Sequence, residues 1–108
     1  MLVSLDQKRF NELLAKLKSL VYQYNSEIGG KGVYLKPYHV VYKGGKKYVY
    51  VGRYWYRLER RNGRLKWIYL GKTKPYPDLP DPPAIPEITI VITESENLVD
   101  QKALDQLE

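Results

Sequence analysis

The sequence predicts an α+β fold: an N-terminal helix packed on a three- or four-stranded antiparallel sheet, then a Pro-rich connector and an acidic C-terminal segment of strand and short helix. Three observations carry this expectation. Apolar residues recur at helical spacing near the N-terminus. Residues 33–70 alternate at period two between Gly-Gly and Asn-Gly punctuation. Charge is also split: residues 1–74 hold 17 Lys/Arg against 4 Asp/Glu, whereas residues 75–108 hold one Lys against 8 Asp/Glu. The corresponding division is a basic helix-plus-sheet domain at 1–74, a connector at 75–86 and an acidic strand and short helix at 87–108.

Ser4-Leu5-Asp6-Gln7 fits a capping box, with the Ser4 hydroxyl accepting from the backbone N–H of Gln7. Phe10, Leu13, Leu14, Leu17, Leu20, Val21 and Tyr24 follow at helical spacing, and Gly29-Gly30 ends the run, which predicts a helix from about residue 5 to about residue 26. Phe10, Leu13, Leu17, Leu20 and Tyr24 keep coiled-coil spacing for only two heptads. So short a seam favours packing on the protein's own sheet; a homodimer contact through this helix is the alternative.

Strands are predicted at 33–43, 47–61 and 64–70, ending at Gly44-Gly45, Asn62-Gly63 and Gly71. Asn-Gly suits a type I′ hairpin turn, where both central residues need positive φ. Its register sets Arg61 opposite Arg64, Glu59 opposite Lys66 and Tyr56 opposite Tyr69, which makes Glu59–Lys66 an opposite-charge pair. Alternation puts Tyr54, Tyr56, Leu58, Leu65, Trp67 and Tyr69 on one face, expected to close over the helix. Arg53, Trp55, Arg57, Glu59, Arg61, Arg64, Lys66, Ile68 and Leu70 occupy the other, which is expected to face outward because so many cations resist burial. Gly52 marks a candidate bulge; that version buries Val49 and Val51 and is preferred narrowly over an uninterrupted strand.

Residues 75–86 contain 6 Pro and are expected to be extended. Ile88-Thr89-Ile90-Val91-Ile92-Thr93 is strongly β-prone and is expected to add to a sheet edge, in the same chain or between two copies. Ser95 or Asn97 is the candidate cap of a short helix carrying Leu98, Leu104 and Leu107. Fold completion is the preferred role for this acidic tail, ahead of autoinhibition of the basic surface or recruitment of a basic partner.

The absence of Cys rules out disulfides and thiol chemistry, and His39 is the only histidine. No ligand spacing suggests a metal site, and neither Gly29-Gly30-Lys31-Gly32 nor Gly44-Gly45-Lys46-Lys47 follows a phosphate-loop pattern. A non-enzymatic protein without cofactor or metal is expected. No apolar run is long enough for a membrane span, so a cytoplasmic protein without membrane partners is expected, nucleoid-associated or viral in type. Abundant Tyr, Lys and Arg without Cys are compatible with a thermophile.

Function is expected from residues 31–74, which hold 13 Lys/Arg, the single acid Glu59, 8 of the 11 Tyr and both Trp. A one-signed field interleaved with rings suits a polyanion carrying flat bases. Nucleic acid is the expected partner, DNA ahead of RNA and duplex ahead of single strand. Candidate contacts are Arg53, Trp55, Arg57, Arg61, Arg64 and Lys66 on the sheet face, with Lys43, Lys46, Lys47 and Lys72 as flanking phosphate clamps. The competing class is a protein-interaction module that uses residues 88–92 as an edge strand, between two copies or with another protein.

Residues 47–72, with Tyr54-Trp55-Tyr56-Arg57, Asn62-Gly63-Arg64 and Tyr69-Leu70-Gly71-Lys72, resemble the arm-type DNA-binding domains of tyrosine recombinases, and also small proteins of archaea and mobile elements. That resemblance implies a three-stranded sheet packed on a helix and inserted into the major groove. By position, it implies base-facing roles for Arg53, Trp55, Arg57, Arg64 and Lys66. The chain differs from the family in placing its long helix before the sheet.

Overall fold

Helix α1 (Gln7–Glu27) starts immediately after Asp6, whose carboxylate accepts from the Arg9 backbone N–H at 2.8 Å. Asp6, not Ser4, is therefore the N-cap, meeting one of the donors that a first helical turn leaves free. Ser4 is committed elsewhere, in strand β1 (Leu2–Leu5), where it lies opposite Leu98. The buried stripe of α1 is Phe10, Leu13, Leu17, Val21 and Tyr24. Leu20 is exposed. At about 3.6 residues per turn, Val21 falls nearer the centre of that stripe than Leu20 does.

The computed structural model describes residues 1–83, 85 and 89–107, and it is α+β, with two antiparallel sheets beside the long helix. The two long strands predicted at 33–43 and 47–61 each break once. The first becomes β2 (Val33–Leu35) and β3 (His39–Lys43); the second becomes β4 (Lys46–Tyr50) and β5 (Trp55–Arg61). Pro37 interrupts one strand and Gly52, with φ +62°, bends the other. Hydrogen bonds from Lys36 N–H to Tyr54 O at 2.9 Å and from Gly52 N–H to Lys36 O at 3.1 Å hold the pair together through this corner. Below it, β2, β5 and β6 (Arg64–Gly71) form a three-stranded sheet in the order β2-β5-β6. The β5–β6 register is the expected one around Asn62-Gly63, with φ of 51° and 77°, and it shifts only next to Trp55.

Above the corner, β3 and β4 join β1, β7 (Ile90–Ile92) and β8 (Asn97–Asp100) in a five-stranded sheet ordered β1-β8-β7-β4-β3. The acidic tail thus completes the fold. β7 does not sit at an edge as expected, nor is it free to join two copies, because β4 and β8 flank it. Its run starts at Ile90; Ile88, also predicted to be β-structure, lies outside the described residues. Asn97 and Leu98 belong to β8. The short helix α2 (Gln101–Leu107) is approached through Asp100, which accepts from the Lys102 N–H at 2.9 Å.

One helix serves both sheets. Phe10, Leu13 and Leu17 pack with Val49, Ile90, Val99 and Leu104 against the larger sheet. Val21 and Tyr24, with Ile28 just past the helix, pack with Val33, Leu35 and Trp55 against the smaller. Leu79 of the Pro-rich connector joins this second cluster, and the Tyr24 hydroxyl donates to Pro80 O at 2.7 Å. Asn25 fastens the helix to the outer edge of β2: its amide donates to Leu35 O at 2.7 Å and accepts from Leu35 N–H at 2.9 Å. Both polar backbone groups of an edge residue are thereby satisfied.

Candidate functional site

The three-stranded sheet has an inner and an outer face, and they are the reverse of those predicted. Trp55 is 2% exposed and packs edge-on against Tyr24, with ring centroids 5.9 Å apart and planes at 81°. It is a core residue and cannot meet a base. Burial fades from Trp55 towards the hairpin tip: Arg57 and Glu59 are half-buried, and Arg61, Arg64 and Lys66 are exposed. The inner face therefore needs only its base covered, and Ile68 and Leu70 accompany Trp55 there. Glu59 secures the intermediate stretch. Its carboxylate meets Arg57 Nη2 at 2.7 Å and Arg61 Nε at 3.3 Å, so this acid serves its own strand as well as lying opposite Lys66.

The outer face carries Tyr34 from β2, Tyr56 and Leu58 from β5, and Leu65, Trp67 and Tyr69 from β6, since Tyr34, Tyr56 and Tyr69 lie side by side in register. Trp67 and Tyr69 are each 53% exposed. Their rings form a continuous row: Tyr34–Trp67 at 5.1 Å, Trp67–Tyr56 at 6.4 Å, Tyr56–Tyr69 at 5.6 Å and Tyr69–Tyr54 at 6.0 Å between centroids. The row then crosses the corner to the larger sheet through Tyr54–Tyr50 at 5.8 Å and Tyr54–His39 at 4.8 Å. Neighbouring rings meet tilted or edge-on, an arrangement favoured by the aromatic quadrupole.

Cations border this row. Arg53 lies over the Tyr50 ring at 4.5 Å, and the Lys36 ammonium is 5.5 Å from the Tyr56 centroid. Lys36 Nζ is also 3.0 Å from His39 Nδ1. Burial, and then the Lys36 charge, push the His39 pKa below its ordinary value, which favours the neutral imidazole. Beside Trp67, a groove of about 410 Å³ is lined by Tyr22, Tyr34, Lys36, Pro37, Tyr38, Tyr56 and Trp67. Burial, followed by the nearby Tyr22, raises the Tyr34 pKa above the ordinary phenol value, which keeps its hydroxyl protonated.

The sequence-predicted contacts do not form one surface. Arg61, Arg64 and Lys66 gather at the tip of the β5–β6 hairpin, with Arg60 beside them, and Lys72 is exposed just beyond β6. Lys43, Lys46 and Lys47 sit at the other end of the strand pair, around Gly44-Gly45, where Lys47 lies 5.7 Å from the Tyr42 ring. Arg53 borders the rings, and Arg57 is held by Glu59. Sequence reasoning assigned Tyr54, Tyr56, Trp67 and Tyr69 to the core and gave no role to Lys36. The usable signal was Trp55 on the same face as Ile68 and Leu70, an apolar cluster confined to the base of the hairpin. No family model, curated protein or solved structure matches the chain.

Proposed function

We propose that this protein binds single-stranded nucleic acid, stacking bases on the outer face of the smaller sheet. The continuous row of rings from Tyr34 to Tyr50 is the observation that carries the reading. Exposed apolar patches on a soluble domain mark interaction surfaces, and here the patch is aromatic with cations at its border. Bases in a duplex already stack on one another and hide their π-faces, whereas an unpaired strand offers them. Preference for single strands over duplex therefore follows from which face points outward. The hairpin tip supports a second reading. Arg60, Arg61, Arg64 and Lys66 are all exposed there, a shape and charge suited to a duplex groove.

Fluorescence-anisotropy titration with a labelled 15-nucleotide single strand, its RNA counterpart and the matching duplex separates these readings. Single strands are expected to bind more tightly than duplex. Replacing Trp67 with Ala should weaken single-strand binding about 5-fold or more, the range of one lost base–ring stack, while the thermal melt stays unchanged. Tighter duplex binding, or full affinity in Trp67→Ala, would reject stacking on this face in favour of the hairpin tip.

A further inference from the structure

The ring row leaves the groove beside Trp67 unused. α1 contributes Tyr22 to it, the corner contributes Lys36, Pro37 and Tyr38, and the sheet contributes Tyr34, Tyr56 and Trp67. We infer that this groove is the seat of one unpaired nucleotide, turned out of the bound strand, with its base between rings and its phosphate on Lys36 and Lys18. The inference rests on the single-strand reading and deepens it.

Size is the first argument. At about 410 Å³ the groove lies near the lower end of the range for small-ligand sites, which suits one nucleotide better than a length of polypeptide. Chemistry is the second. Its lining is mostly rings, and none of the described residues that form it carries a carboxylate, which favours an anion. Two ammonium groups lie close to its walls: Lys36 Nζ, 5.5 Å from the Tyr56 centroid, and Lys18 Nζ, 4.3 Å from that of Tyr38. The contact of Lys36 with His39 is to an imidazole, which carries no negative charge and so leaves the ammonium able to meet a phosphate.

Continuity is the third argument. Tyr34, Tyr56 and Trp67 belong to both the row and the groove, so a strand laid along the rings arrives at its mouth. Single-strand readers commonly splay one base away from its neighbours and enclose it between aromatic side chains. Aromatic grooves also accept proline-rich peptides. Two ammonium groups beside a lining whose described residues include no acid favour the phosphate-bearing occupant.

The test is an NMR titration of the isotope-labelled protein with adenosine 5′-monophosphate, paired with anisotropy on a labelled single strand. Shift changes should concentrate on Tyr22, Lys36, Tyr38 and the Trp67 indole. Tyr22 is 56% exposed and lies outside the ring row, so Tyr22→Ala should keep its fold; it should weaken both the mononucleotide and the oligonucleotide about 5-fold or more. Shifts scattered over Tyr50 and Tyr54, or Tyr22→Ala binding as tightly as the parent, overturn the nucleotide seat while leaving strand stacking intact. Groove shifts with a proline-rich peptide but none with the mononucleotide also overturn it. Failure of every single strand to bind removes both readings together.

Discussion

Gly52 stands at the point where the chain leaves one sheet for the other, and two independent constraints fix its identity. Its φ of +62° lies in the left-handed region, and a Cβ placed there would come within 2.9 Å of Val21 Cγ2 and 3.1 Å of Ile85 Cδ1. Val21 is wholly buried on the core face of α1, so it has little room to yield. Gly52→Ala is expected to lower stability by about 2–4 kcal/mol, combining left-handed strain with overpacking. Chemical denaturation of the variant measures this; a loss below 1 kcal/mol would mean that the corner relaxes freely. The sequence marked Gly52 as irregular but read it as a bulge in one sheet. Glycine signals that ordinary backbone geometry ends, but not whether the strand resumes in the same plane. Val49 turned inward and Tyr50 stayed with the outer rings, as the bulged version expects, yet Trp55 followed Val49 into the core and Tyr54 joined the outer row. The error in the faces begins at this one residue.

Local signals fixed the elements more securely than their partners. The apolar period gave α1 to within about two residues at its start, and Asn62-Gly63 gave the hairpin register residue by residue. Strand β1 escaped notice because Leu2–Leu5 is short and leads directly into the helix; its partner β8 lies more than ninety positions later. Such a pairing depends on chain topology, which no local pattern encodes. The same pairing decides what the acidic tail does. β7 and β8 bridge β1 to β4, and Ile90, Val99 and Leu104 fill the core beneath α1. Truncation after Lys74 is therefore expected to abolish cooperative unfolding and to cause aggregation, since β4 loses a neighbour and buried apolar side chains lose their cover. Circular dichroism with thermal melting checks it. A truncated chain that melts sharply would show that these strands are dispensable, and would restore autoinhibition as a role for the tail.

Charge and rings act over different ranges, and beyond the cations that border the rings the molecule gathers two further groups at its hairpin ends. Lys43, Lys46 and Lys47 lie at one hairpin end, Arg60, Arg61 and Arg64 at the other, and the ring row runs across the corner between them. The principal extents are 44 × 29 × 21 Å, long enough for several nucleotides to follow that axis. In the proposed complex the cations would attract the strand by releasing its counterions, an effect that weakens with salt, whereas stacking would be much less sensitive to salt. If about four phosphates are neutralised, log K should fall with log salt at a slope near −3, or about 50-fold between 50 and 200 mM. Removing a ring and removing cations then leave different signatures. Trp67→Ala should lower affinity by a similar factor at every salt concentration and keep the slope. Arg64→Ser with Lys66→Ser should flatten the slope and have least effect at high salt. Anisotropy titrations over four salt concentrations resolve the two. A Trp67→Ala protein with an altered slope and an unchanged high-salt affinity would mean that the rings only support the sheet and that phosphate contacts alone hold the strand.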